Sequence, residues 1–217
     1  MNIEHILPNE IEKRSFEIID EELKARGLAV PESTGFIVKR AIHTTADFDY
    51  AHTLCFSDGA VERILGLLAS GAVIVTDTNM ALSGINKNAL NSLGCEAFCF
   101  MADEDVISLA KERGVTRALV SMEKAAAIEK TKKKPVIFAV GNAPTALIGL
   151  REMYLSGTFT PAAVIGVPVG FVNVEAAKEL IMESGLTFVV NRGRKGGSNV
   201  AAAIVNAFLY KLTREKR

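Results

Sequence analysis

The residues best suited to chemistry in this chain are glycines, cations and one histidine, and they fall in clusters. The clearest is Asn191-Arg192-Gly193-Arg194-Lys195-Gly196-Gly197-Ser198-Asn199. Glycines let the backbone approach a ligand closely, and free N–H groups at the start of a following helix attract negative charge. Arg192, Arg194 and Lys195 add charge-assisted bonds, and arginine can grip a carboxylate through two parallel ones. The chemistry is anion binding, with a basic turn that merely closes a strand as the plainer alternative. The spacing is neither G-x-x-x-x-G-K-[ST] nor G-x-G-x-x-G, so a nucleotide site is poorly supported. Gly141-Asn142-Ala143-Pro144-Thr145 also follows an apolar run and opens a helix, with proline early, where it is tolerated. Thr76-Asp77-Thr78-Asn79 does the same, although ordinary helix capping by Asp77 or Thr78 is the simpler account. His43 stands apart from His5 and His52, because threonines and then Asp47 and Asp49 follow it. A histidine with a pKa near ~6.5 donates or accepts a proton at neutral pH. No G-x-S-x-G elbow supplies a nucleophile, and no second His or Cys stands at metal-ligand spacing.

The elements that must position these clusters are short β-branched runs. Strands are predicted from Phe36 (FIVKRAIHTT), over Ala72–Asp77, in CEAFCF, and over Arg117–Met122, Pro135–Val140, Ala162–Val167 and Thr187–Asn191. Helical patterns follow most of them, including Thr78 to Leu90, Gly141 to Tyr154 and Val174 to Ser184, and one precedes them from Pro8 to Arg26. The alternation predicts an α/β fold, an open and mainly parallel sheet with helices on both faces, as in a Rossmann-like three-layer sandwich. In such a sheet the ligand crevice lies outside the carboxyl ends of the strands. The clusters, with His43 at the end of the first strand, are therefore expected on one rim. The final helix, roughly Ser198 to Leu212, is apolar all round up to Phe208. That predicts burial against the sheet or against a second subunit.

Composition narrows the partners. The 217 residues carry 25 basic and 25 acidic side chains, so bulk attraction to nucleic acid or membrane is not expected. One domain over 1–217 is the expectation. Cys55, Cys95 and Cys99 form no disulfide or zinc framework and suit a reducing compartment. No run reaches the ~18–20 apolar residues of a membrane span, and the first residues lack signal-peptide organisation, so a cytoplasmic protein is expected.

Arg14-Ser15-Phe16, Arg40 with His43, VGNAPTAL from Val140, PVGFV from Pro168 and RGRKGGS from Arg192 together resemble the precorrin-8X methylmutases. That family includes the cobalt-precorrin-8 methylmutases of cobalamin biosynthesis, and the resemblance runs from the first helix to the last. It implies a 1,5-sigmatropic shift of a methyl group from C-11 to C-12 of a corrin precursor. It also implies a homodimer that needs no nicotinamide, flavin or S-adenosylmethionine cofactor and no protein-held metal. It makes His43 catalytic and Ser15 and Arg40 substrate contacts, and Arg117 a carboxylate partner. The strand-end argument adds Thr44, Thr76, Asp77, Gly141, Asn142, Thr145, Arg192, Arg194, Lys195, Gly196 and Gly197. A polycarboxylate tetrapyrrole would account for a basic rim on a neutral protein. Two other readings stay open: a non-catalytic corrinoid carrier, and a nucleotide-dependent Rossmann-like enzyme.

Overall fold

Six short strands form one sheet in the order β1-β6-β5-β4-β2-β3. Its centre is β2 (Val73–Thr76), β4 (Val136–Val140), β5 (Ala163–Gly166) and β6 (Phe188–Asn191), all mutually parallel. Every residue in these four strands is buried, which is why they read as continuous apolar runs and not as alternating ones. β3 (Glu96–Phe98) closes one edge, parallel to β2. β1 (Leu54–Phe56) closes the other edge, antiparallel to β6, with Leu54 opposite Asn191. Three residues carry too little periodicity to be read as a strand, and β1 was not expected. Its reversed direction brings the preceding segment, residues 47–53, to the carboxyl end of β6. The computed structural model describes residues 4–214, so the outermost three positions at each end of the expected 1–217 domain lie outside it.

Alternate strand residues point into two cores. Ile74, Ile137, Ala139, Ile165 and Val189 meet one layer, built from α1 (Ile11–Ala25), α2 (Glu32–Thr45), α4 (Ala60–Ala69), α5 (Asn79–Gly84), α6 (Lys87–Ser92) and α11 (Ser198–Arg214). Val73, Val75, Phe138, Val140, Val164 and Val190 meet the other, built from α8 (Arg117–Lys132), α9 (Pro144–Leu155) and α10 (Val174–Met182). α7 (Glu104–Arg113) packs on α8, and α3 (Tyr50–Thr53) leads into β1. The α/β sandwich with helices on both faces is the expected architecture.

Two expected strands are helices. FIVKRAIHTT lies in α2, where Ile37, Val38, Ala41 and Ile42 are buried and His43 and Thr44 are exposed, a period near 3.6 and not 2. Arg117–Met122 opens α8, and Thr116 caps it by accepting the Leu119 amide at 3.3 Å. The helix expected from Thr78 to Leu90 is two helices. Thr78 caps α5 by accepting from the Ala81 amide at 3.0 Å, and Asn86 caps α6 by accepting from the Ala89 amide at 2.9 Å. The apolar α11 is buried within the chain itself, against α2, α4, α5 and α6. It crosses α5 so closely that a Cβ on Gly84 would lie 2.8 Å from the Ala202 Cβ.

Candidate active site

The loops after β2, β4, β5 and β6 meet at the carboxyl rim, and buried polar groups join them. The Asp77 carboxylate, just past β2, accepts three amides of the loop after β4: Gly141 at 2.8 Å, Asn142 at 2.8 Å and Ala143 at 2.6 Å. Burial pushes the Asp77 carboxyl above the ordinary range, and the three amides pull against that rise. Thr76 Oγ1 donates to the Thr78 carbonyl at 3.0 Å, and the Thr78 and Ser198 hydroxyls share a hydrogen bond of 2.8 Å. Gly141 is glycine for a steric reason, since a Cβ there would lie 2.6 Å from the Ser198 Cα. Thr76 and Asp77 were expected to touch a ligand. Both are wholly buried with their side chains spent on the rim's own backbone, so they build the site from below.

The loop after β6 is held as tightly. Asn191, fully buried, accepts the Thr53 hydroxyl at 2.7 Å and donates to the Lys195 carbonyl at 2.9 Å. Gly196 presses onto the loop after β5, where a Cβ would lie 2.1 Å from the Val167 carbonyl oxygen. The three cations of this loop each have an acidic partner. Arg192 pairs with Glu179 at 3.0 Å and Arg194 with Glu175 at 3.0 Å, while Lys195 reaches both Asp47 and Asp49 at 2.6 Å. Burial works to raise the Asp47 carboxyl, but the bonds from Lys195 and the Asp49 amide leave it below its ordinary range. The same two carboxylates push the Lys195 ammonium upward.

His43 sits in the last turn of α2, not at a strand end as expected. Its exposed ring stacks on Phe16 of α1, with centroids 5.3 Å apart and planes 19° from parallel. Among the described residues it makes no hydrogen bond or ion pair. Arg40, one turn earlier, lies over the rings of Phe16 and Tyr210 and is paired with Glu12, which also holds Arg214. Desolvation acts to raise the Glu12 carboxyl, and the two guanidinium groups outweigh it. Arg40, His43 and Thr44 line a groove of about 350 Å³ together with Met80, Asn199 and Tyr210. Ser15, half-buried beside Phe16 on α1, donates its hydroxyl to the Ile11 carbonyl at 2.8 Å.

Arg117, Asn142 and Thr145 line a second groove of about 550 Å³ on the α8–α10 side. Its wall includes Val169, Phe171 and Val172, which are respectively 48%, 81% and 78% exposed. Arg117 donates to the Met101 carbonyl at 3.3 Å and makes no salt bridge among the described residues. Of the expected contacts, Arg40, His43 and Thr44 line one groove and Arg117, Asn142 and Thr145 the other, while Ser15 and the glycine-rich loop line neither. The glycine-rich loop lies between them, and its start of α11 abuts Gly141. A clamp through Asp47 and Asp49, and a buried lysine beneath the loop (Lys178), were not foreseen.

A family model described as precorrin-8X methylmutase matches residues 10–211. The chain belongs to the precorrin-8X methylmutase family. A cobalt-precorrin-8 methylmutase of Salmonella typhimurium is 44% identical, covering 94% of this chain and 96% of that one. One from Leptospira interrogans is 39% identical over 94% and 93% of the two chains. A crystal structure of a precorrin-8X methylmutase from Thermus thermophilus superposes with a TM-score of 0.83 at 38% identity, covering 95% of this chain and 98% of that one. Membership in the methylmutase family makes this protein an isomerase.

Proposed function

We propose that this methylmutase acts on cobalt-precorrin-8, moving one methyl group from C-11 to C-12 to give cobyrinic acid. The C-11–methyl bond breaks as the C-12–methyl bond forms, so substrate and product are isomers. His43 lends a proton to the macrocycle and takes one back, which favours the tautomer whose conjugation permits migration. General acid–base help of this kind contributes ~10²–10⁴-fold. The rest comes from binding that favours the transition state over the ground state. The observation that carries the reading is the position of His43: exposed in a groove beside Arg40 and Thr44, stacked on Phe16 and, among the described residues, without a hydrogen bond that would occupy its ring nitrogens. The cobalt-loaded substrate is favoured because the relatives at 44% and 39% identity are both cobalt-precorrin-8 methylmutases.

An anaerobic absorbance assay with cobalt-precorrin-8 and, separately, precorrin-8X tests this. Conversion to the corrin spectrum is expected, faster with the cobalt-loaded form. Tight binding without conversion would instead favour a corrinoid carrier. The protein works as a homodimer in this reading, and we place it in the cytoplasm as one domain; no helix among the described residues is long and apolar enough to cross a membrane. Light scattering after size exclusion is expected to give twice the 23.3 kDa mass of the chain. A monomeric mass would overturn the dimer.

A further inference from the structure

Lys178 is the unusual charge of the molecule. It lies on α10 with its side chain fully buried, and its ammonium donates to the Gly193 carbonyl at 2.7 Å and the Lys195 carbonyl at 2.8 Å. Among the described residues no carboxylate lies within ion-pair distance of it. A buried cation with no contacting counter-ion is costly and is retained only where its surroundings satisfy it. Here those surroundings are the underside of the basic loop. Burial lowers its pKa to about 8, and the nearby Glu175 carboxylate pulls the other way.

The consequence follows from peptide geometry. In a trans peptide the carbonyl and the next N–H point in opposite directions. Drawing the Gly193 and Lys195 carbonyls inward therefore turns the Arg194 and Gly196 amides outward. Neither amide is spent on another acceptor among the described residues. Meanwhile the side chains of Arg192, Arg194 and Lys195 are already bound to Glu179, Glu175 and the Asp47–Asp49 pair. The loop offers an anion its backbone first, and the cation beneath that backbone is Lys178.

We infer that Lys178 is a positioning residue for substrate binding: it aims the Arg194 and Gly196 amides at a carboxylate of the bound macrocycle. This rests on the proposed methylmutase reading. A charge-assisted hydrogen bond is worth ~1.5–3 kcal/mol, which corresponds to about 10–100-fold in affinity. Lys178→Met is expected to raise KM by about that factor, with kcat changed less than about threefold, and Lys178→Arg to recover part of the loss. A purely structural role would instead lower the active fraction, and with it kcat, at unchanged KM.

Amide resonances of the wild-type protein provide a test that needs no variant. Titration with hydrogenobyrinic acid, the diamagnetic metal-free product, is expected to shift the Arg194 and Gly196 N–H signals downfield. Shifts elsewhere on the rim with these two unmoved, or a Lys178→Met KM within twofold of wild type, would overturn the inference and leave the methylmutase reading intact. No shift anywhere, together with no conversion of substrate, would sink both.

Discussion

His43→Ala is expected to cut kcat by ~10²–10⁴-fold while leaving substrate affinity within a few fold. The magnitude is that of one positioned acid–base group, and among the described residues no second histidine, cysteine or carboxylate hydrogen-bonds or ion-pairs with His43 to take over its role. Affinity should persist if, as proposed, the substrate carboxylates are held elsewhere, by the loops after β4 and β6. Stability should persist too, since the ring is exposed and makes, among the described residues, no hydrogen bond beside its stack on Phe16. Such a stack is worth ~0.5–1.5 kcal/mol beyond its buried area. Single-turnover rates at saturating substrate, set beside equilibrium binding and a melting curve, separate the three quantities. A variant that turns over at the wild-type rate would remove His43 from the chemistry. A variant that loses binding as steeply as turnover would make it a substrate contact and not an acid–base group.

That prediction depends on a residue whose type and sequence neighbours were informative and whose element was misread. The central strands were legible because AVIVTD, PVIFAV and TFVVN are β-branched, short and bounded by glycine, proline or asparagine. The α2 segment FIVKRAIHTT has the same composition. Its helical period shows only when Ile37, Val38, Ala41 and Ile42 are seen to share a face. Arg117–Met122 misleads in the same way. Position on the rim survived the error because β1 runs antiparallel to β6 and returns the segment after α2 to the same end of the sheet. The pairing of the rim cations was not legible, since Asp47 and Asp49 lie 148 and 146 residues from Lys195. Lys178 was hidden for a related reason. A lysine three residues after Glu175 on a helix reads as a solvated ion pair, and only tertiary packing reveals that its ammonium turns inward.

The second large effect is structural. Asp77→Ala is expected to lower the melting temperature by roughly 6–12 °C and to weaken substrate binding with it. Removing the carboxylate strips the acceptor from the Gly141, Asn142 and Ala143 amides beside a wholly buried Asp77 and a buried Gly141. Each orphaned buried donor costs ~1–3 kcal/mol, part of which water entering the vacated space recovers, so about 3 kcal/mol overall is a fair expectation. Asp77→Asn discriminates this account from a merely space-filling one. Oδ2 accepts two amides and Oδ1 a third. An asparagine placed there keeps one oxygen and turns an NH₂ group toward at least one donor, so donor faces donor. The near-isosteric change should therefore cost almost as much as truncation. Calorimetry on both variants decides it: an asparagine variant melting with wild type would mean that volume, and not the carboxylate's acceptor geometry, holds the β4 loop. If asparagine and alanine fall together, the rim's shape depends on one buried carboxylate whose oxygens are taken up by the β4 loop. Asn142 and Ala143 then line their groove only because Asp77 pulls their amides back toward the sheet.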